Sequence, residues 1–488
     1  MTVNYNFSKG SDFPLWQWLP FFPGGTVYYG FDADYDGVRY IYMIGQVGSS
    51  STSASTTQLW RYDTWGQAWQ LLASPTSGNR GMTLTYDRTR NVLIMVHGAA
   101  LTSWQIFNLN VTSVSICGVA CASWTLTTMT PVLPAAADYG ATIVTVGPNS
   151  TPATIESGIL ATGTTTTTMI DTSQSSAFCD LMVGLEFKIT SGTYSGQKRF
   201  ITSVTDGNTL VVGSAFGGTP SVADSYTICL PEGTTSSATT STLVDSTATW
   251  TVNQYTNADV LIVSGTGSGQ KRRIASNTAT TLTLAAAVTG NVNTGNWTVT
   301  PDATSVYKIQ PSSDFLYYSP GSTSATFYKI DLATGASAPA WVTLTAPPAV
   351  TSGGANVMWP DAIGSFNLLV MRGNGTSTFY SYNIGLNSWT TLVIRAGSET
   401  FTTGASSTVW DGQRKIIIHK DSSTRLYVYN MATRELEPLA TLPYAAPGGY
   451  DHHSLRLVTN SDGTQWLYFQ RPGGAEFFRM PLEWGLLS

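Results

Sequence analysis

Along much of the chain, short apolar runs are separated by Asp, Asn and Gly turns, the pattern of β-strands joined by tight connections. Residues 82–86 with 92–96, and 407–410 with 415–419, are examples. Such pairs precede a recurring unit: an aromatic-rich strand ending in Asp or Asn, a short turn, then Trp-x-x-Leu and a proline. The unit appears as Leu59 to Asp63 with Trp69, Leu72 and Pro75, and as Phe327 to Asp331 with Trp341, Leu344 and Pro347. Phe379 to Asn383 with Trp389 and Leu392 is a further copy. Two copies are degenerate: Trp104 to Asn108 leads to Trp124 and Leu126, and Leu426 to Asn430 leads to Leu436 and Leu439.

Four strands per unit, repeated about every 50 residues, is the signature of propeller blades. After Leu439 the chain supplies three more strands, near residues 454–458, 465–469 and 476–480. The missing fourth is found at the other end, where Trp16, Leu19 and Pro20 match the Trp-x-x-Leu pattern. Closure by that N-terminal strand would cover an exposed sheet edge. The reading is an all-β propeller of six blades, with five or seven as alternatives, formed by residues 13–146 and 314–488. It resembles the kelch repeat family, in which a diglycine follows the second strand of a blade. That diglycine is intact at Gly473-Gly474; Gly98, Gly373 and Gly375 keep part of it.

Between Trp124 and Trp341 the spacing widens, so an insertion is expected inside the third blade, flanked by strands at 141–146 and 315–318. Within it a second repeat occurs. Residues 167–171 lead to Ser191-Gly-Thr-Tyr-Ser-Gly196-Gln197-Lys198-Arg199, and residues 241–245 lead to Ser264-Gly-Thr-Gly-Ser-Gly269-Gln270-Lys271-Arg272. Each copy reads as about five strands without a helix, a small β-barrel or sandwich, over 150–232 and 233–312. The shared motif resembles modules of tailed-phage virion proteins of the tail, collar or baseplate. It lacks the order of a phosphate-binding P-loop; a turn followed by a strand with Lys and Arg facing solvent is the expectation.

Composition narrows the class. Charged residues are 11% of the 488, against about 25% in ordinary soluble domains, and aromatics are also 11%. The net charge of −5 and the lack of a basic run argue against direct nucleic-acid binding. Neither a membrane span of about 18 apolar residues nor a secretory signal is apparent, so synthesis in a host cytoplasm is expected. Cys117, Cys121, Cys179 and Cys229 form no zinc spacing, and whether Cys179 and Cys229 pair is left open.

Candidate chemistry is sparse. Asp32, Asp34 and Asp36 with Gly37 resemble the start of a calcium loop, yet Met43 stands where a bidentate Glu belongs; a structural turn is the main reading. His97 and His419 both end second strands, and Asp451, His452 and His453 form the richest metal-type cluster by composition. Kelch-fold copper oxidases use a rim site with a Tyr–Cys crosslink, for which no rim cysteine is present. No carboxylate pair can be nominated for glycoside hydrolysis and no nucleophile elbow is found. The expectation is a protein that is not an enzyme and needs no cofactor.

The first functional reading is a structural component of a tailed-phage virion, docking other virion proteins as a homo-oligomer in a symmetric assembly, with a nozzle-like position as one placement. The alternatives are a receptor- or host-glycan-binding propeller on a phage fibre or cell surface, and a kelch-fold oxidase or hydrolase. The insertion should project opposite the loops at 47–57, 98–103, 372–377, 420–424 and 471–475, leaving two faces for different partners, with Trp and Tyr edges at the rims as anchors.

Overall fold

In the computed structural model the described residues are 16–47, 56–76, 81–98, 101–147, 154–172, 178–322, 324–335, 339–351, 356–358, 364–373, 375–392, 394, 399, 407–411, 414–420, 423–444, 452–453, 455–460, 462–471 and 473–482. Among them every regular element is a strand, apart from one 3₁₀ turn at Asp180–Met182. The fold is all-β and propeller-like.

Six sheets share one four-strand, up-and-down antiparallel order, and the first carries the short parallel strand His452–His453 as a fifth. Sheet I contains Val27–Tyr35, Tyr40–Val47, Thr56–Asp63 and Ala68–Ala73; sheet II contains Thr83–Asp87, Val92–Val96, Trp104–Asn108 and Leu126–Thr128. Sheet III contains Thr142–Thr145, Phe315–Ser319, Tyr328–Asp331 and Val342–Thr343; sheet IV contains Asn356–Met358, Asn367–Met371, Phe379–Asn383 and Ser388–Leu392. Sheet V contains Ser407–Trp410, Lys415–His419, Arg425–Asn430 and Glu435–Thr441. Sheet VI contains Leu455–Thr459, Gln465–Gln470 and Phe477–Leu482, and its fourth strand is Gln17–Trp18 from the opposite end of the chain. Second and third strands such as Val92–Val96 and Phe379–Asn383 are buried along their whole length. Covered on both faces, Val92–Val96 is apolar continuously rather than alternately, while Phe379–Asn383 buries Ser381 and Asn383 among its rings.

The N-terminal strand pairs Gln17 with Arg479 and Trp18 with Phe478. The Trp18 ring meets the Phe478 ring edge-on at 4.6 Å, and Leu19 N–H donates to the Phe477 carbonyl. The repeated tryptophans have a common use. Trp16 Nε1 donates to the Thr441 carbonyl, Trp69 Nε1 to that of Pro20, and Trp389 Nε1 to that of Thr345, each at or just beyond the end of the fourth strand of the preceding sheet. They tie sheets VI to V, I to VI and IV to III. At sheet III, Trp341 lies edge-on to Trp104, whose own indole donates to Pro131. Trp16, Trp69 and Trp389 thus join sheets to each other. Trp124 is not in a strand: it sits in a turn at φ 53°, following a hairpin of Val114–Ile116 and Val119–Cys121 that the repeat pattern does not reveal.

Strands Thr142–Thr145 and Phe315–Ser319 of sheet III pair directly, and everything between them leaves the sheet. That chain forms a six-stranded and a seven-stranded sheet in matching order, rather than about five strands in each copy. In the first, Lys198–Asp206 runs between Glu186–Ile189 and Thr209–Val212; in the second, Lys271–Asn277 runs between Ala258–Ser264 and Thr281–Leu284.

Both inserted modules lie on the edge where the first-to-second and third-to-fourth turns of the sheets emerge. Ser365 and Asn367 of sheet IV donate to the Leu181 and Val183 carbonyls, and the Tyr255 ring packs edge-on to Phe366. On sheet V, Arg434 pairs with Asp180 and Arg414 with Glu156. One apolar core runs from the modules into sheets IV and V, through Phe366, Leu369 and Ile416. The opposite placement to the second-to-third loops therefore holds for the described residues, but the module-side edge of sheets III to V is occupied by the chain itself rather than open.

Trp18→Ala removes the ring contacts that hold the terminal strand. Because Trp18 is only partly buried, the loss should be about 2 kcal/mol, below the 3–5 typical of fully buried Trp→Ala changes. A lowered urea midpoint with unchanged slope is the expected result.

Candidate functional site

The first strands of the six sheets surround a cavity of about 220 Å³. Its charged lining is Asp32 and Asp34 from sheet I, Arg88 beside sheet II, and Arg456 from sheet VI, with Trp410 and several threonines completing the wall. Two residues apart on one strand, Asp32 and Asp34 face the same side. Among the described residues the first strands of sheets II to VI have one edge without a ladder partner, that of sheet I meets only the short parallel strand His452–His453, and the free N–H groups need acceptors. Asp32 accepts from Leu84 N–H at 2.7 Å and Thr83 Oγ1 at 2.9 Å, and Asp34 accepts from Tyr86 N–H at 2.7 Å. The device recurs: Thr142 Oγ1 accepts from Val357 N–H and Ser407 Oγ from Leu455 N–H.

Between sheets VI and I the device becomes ionic. Arg456 Nη2 donates to Asp32 Oδ1 at 2.6 Å, both side chains being nearly buried. Beside it, residues His452–His453 pair in parallel with Phe31 and Asp32. Burial raises the Asp34 carboxyl above its ordinary range, opposed by Arg456, the Tyr86 and Tyr35 N–H groups and Arg88.

These positions sort the sequence candidates. Asp32 and Asp34 both reach the cavity, with their oxygens engaged by neighbouring sheets. The three aspartates do not form an ion loop: Asp36 caps a turn by accepting from Val38, Arg39 and Tyr40 N–H, away from the donors held by the other two. His97 and His419 are buried, and burial holds both imidazoles down to about 4. His419 bonds the Ser423 carbonyl and packs on Phe469. Asp451 lies outside the described residues. Among those described, no group of three metal-type side chains gathers. All four cysteines are buried and unbridged. Arg456 and the acceptor role of the aspartates escape sequence reasoning, because each depends on a partner hundreds or tens of residues away.

In the modules the Gln-Lys-Arg motif does not face solvent as expected; it clasps each module together. Lys198 pairs with the fully buried Glu186 at 3.1 Å, and Lys271 with the fully buried Asp259 at 3.4 Å. Arg199 lies over Phe216 and donates to the Ala215 carbonyl; Arg272 lies over Trp297 and donates to that of Asn296. Gln197 accepts from Gly217 N–H, and Gln270 from Thr298 and Val299 N–H. Gly196 and Gly269 turn the chain at positive φ just before the motif. A second conserved pairing within the repeat joins Tyr226 to Asp171 and Tyr307 to Asp245.

The second module is joined to the sheets by a buried chain of charges. Arg273 pairs with Asp314 at 2.5 Å and with Asp331, while Arg90 pairs with Asp87 and Asp314. The Arg273 guanidinium also lies 4.4 Å over Phe315. Lys329, over the same ring, is held down to about 8 by burial and by Arg273.

No family model matches the chain, and no curated protein does either. Among solved structures it is similar to a mutant of AofleA from Arthrobotrys oligospora, with 7% identity and a TM-score of 0.41 over 98% of this chain and 89% of that one. It is also similar to the α-L-arabinofuranosidase Arb93A from Fusarium graminearum in complex with an iminosugar inhibitor, with 8% identity and a TM-score of 0.37 over 98% and 99%. A fungal alcohol oxidase of the AA5 family in complex with copper gives 11%, 0.36, 96% and 76%. Two of these three are enzymes, so the expectation that the chain is not an enzyme is withdrawn.

Two measurements follow from the paired charges. Asp32→Asn leaves Arg456 buried without its counter-charge and should cost about 3–5 kcal/mol, whereas Arg456→Met combined with Asp32→Asn should cost less than the two changes summed; urea unfolding of the four proteins measures this. Burial, opposed by Lys198, raises the Glu186 carboxyl to about 7. A carboxyl raised on folding stabilises while protonated, so its contribution is complete below about pH 4.3 and is lost as pH rises through about 7. Glu186→Gln should flatten the stability profile across that window.

Proposed function

We propose that the six sheets are the blades of a closed six-bladed, kelch-like β-propeller, and that the chain is a structural component of a tailed-phage virion that docks other virion proteins. In this reading residues 13–146 and 314–488 make the ring, 150–232 and 233–312 make the paired modules, and the protein is made in the host cytoplasm and ends in the particle. The observation that carries it is the attachment of the modules. A continuous apolar core joins both modules to sheets IV and V, and the buried Arg90–Asp314–Arg273–Asp331 chain ties the second module to sheets II and III, an attachment suited to fixing distances between neighbours. The phage context rests on the Ser-Gly-x-x-Ser-Gly-Gln-Lys-Arg resemblance, whose repeated clasp explains why the motif keeps its residues.

A glycan-binding propeller is the second reading, favoured by the axial cavity, where threonine hydroxyls, Asp34 and the Trp410 ring lie together.

Purified phage particles encoding this chain should contain it at a fixed stoichiometry when digested and quantified by mass spectrometry. Its absence from particles that otherwise assemble would overturn the virion reading.

A further inference from the structure

Sheets I and II carry their first-to-second and third-to-fourth turns on the same edge that the modules cover at sheets III to V. There an alternating ladder of rings and guanidinium groups crosses the surface. Arg39 lies 4.9 Å from the Trp65 ring and 5.2 Å from the Tyr40 ring; Arg61 lies 4.5 Å from the Tyr40 ring and 5.4 Å from the Trp124 ring. The ladder is built rather than incidental. Asp63 grips Arg39 through two hydrogen bonds, Gln70 accepts from Arg61 Nε, and Trp124 is fixed at positive φ by its N–H bond to Asn108. Even so, Trp65 is 65% exposed and Trp124 43%, with Val38 and Val111 also exposed on the neighbouring turns.

Trp, Tyr and Arg are the residues that dominate protein–protein hot spots. Exposed valines beside them add apolar area of the kind a protein surface buries and a sugar does not require. The chain also shows how this edge is engaged elsewhere: at sheet V the ring offers Arg414 and Arg434, and the module on top supplies Glu156 and Asp180.

We propose that the Trp65–Arg39–Tyr40–Arg61–Trp124 ladder docks the inserted modules of a second copy of this chain. Residues 150–312 hold ten acidic and seven basic residues, a net charge of −3, opposite in sign to the ladder's arginines. The outer turn of the second module is the fitting element. There Val263 and Val299 are exposed, and Asp302 stands beside them, held by Thr266 and Thr304. The contact joins two different surfaces, so successive copies would add head to tail, closing to a ring where the rotation allows. This rests on the scaffold reading and names one of its partners.

Sedimentation velocity on the full chain tests it, with charge-reversed variants at both surfaces. The wild type should self-associate with rising concentration. Arg61→Asp and Asp302→Arg should each weaken association at least tenfold while melting like the wild type, and the double swap should restore it. A monomeric wild type, or association indifferent to both single changes, overturns the proposal. So does retention of the monomer on immobilised polygalacturonate that Arg61→Asp abolishes, which would assign the ladder to an acidic glycan. None of these outcomes alters whether the chain is found in particles, so the two readings fail separately.

Discussion

The inner edge of the first strands, unpaired in five of the six sheets among the described residues, is the constraint on which the architecture depends. A sheet that presents its inner strand to an axis leaves a column of N–H groups without partners, and burying them unsatisfied costs about 1–3 kcal/mol each. This chain meets the need with side chains from the neighbouring sheet. Asp32 and Asp34 serve sheet II, Thr142 serves sheet IV, and Ser407 serves sheet VI. Where the last sheet meets the first, Asp32 accepts from both neighbours at once, from Leu84 on one side and Arg456 on the other. One buried carboxylate is therefore shared by three sheets.

The same logic extends outward. Indole N–H groups of Trp16, Trp69 and Trp389 fasten the outer edges of successive sheets, and the terminal strand covers the outer edge of sheet VI. The modules cover part of one edge, and there ion pairs stand beside neutral hydrogen bonds. Charge is scarce in this chain, and several of its arginines, including Arg90, Arg273, Arg414, Arg434 and Arg456, stand in contacts between separate elements. The cost of burying such a pair can exceed its attraction, but breaking one leaves an uncompensated buried charge.

How much of this is legible in the sequence depends on range. Strands covered on both faces favour apolar runs over alternation, so 92–96 and 415–419 announce themselves. The Trp-x-x-Leu pattern is legible too, because one local unit recurs with the same job. Residues whose role depends on a distant partner are not: Asp32 reads locally as part of an acidic turn, and nothing near it points to Arg456 or Leu84. The Lys198 and Lys271 clasps look like solvent-facing charges for the same reason, since Glu186 and Asp259 lie on the preceding strand. Trp124 is misread because the hairpin at 114–121 displaces it from the strand that its pattern implies.

Hydrogen exchange at single amides tests the central claim most directly. If side chains from the neighbouring sheet satisfy the inner edges, the Leu84, Tyr86 and Leu455 amides should exchange as slowly as interior strand amides, and Asp32→Asn should accelerate Leu84 far more than Leu455. Fast exchange at all three in the wild-type protein, at the rate of an open sheet edge, would contradict the account.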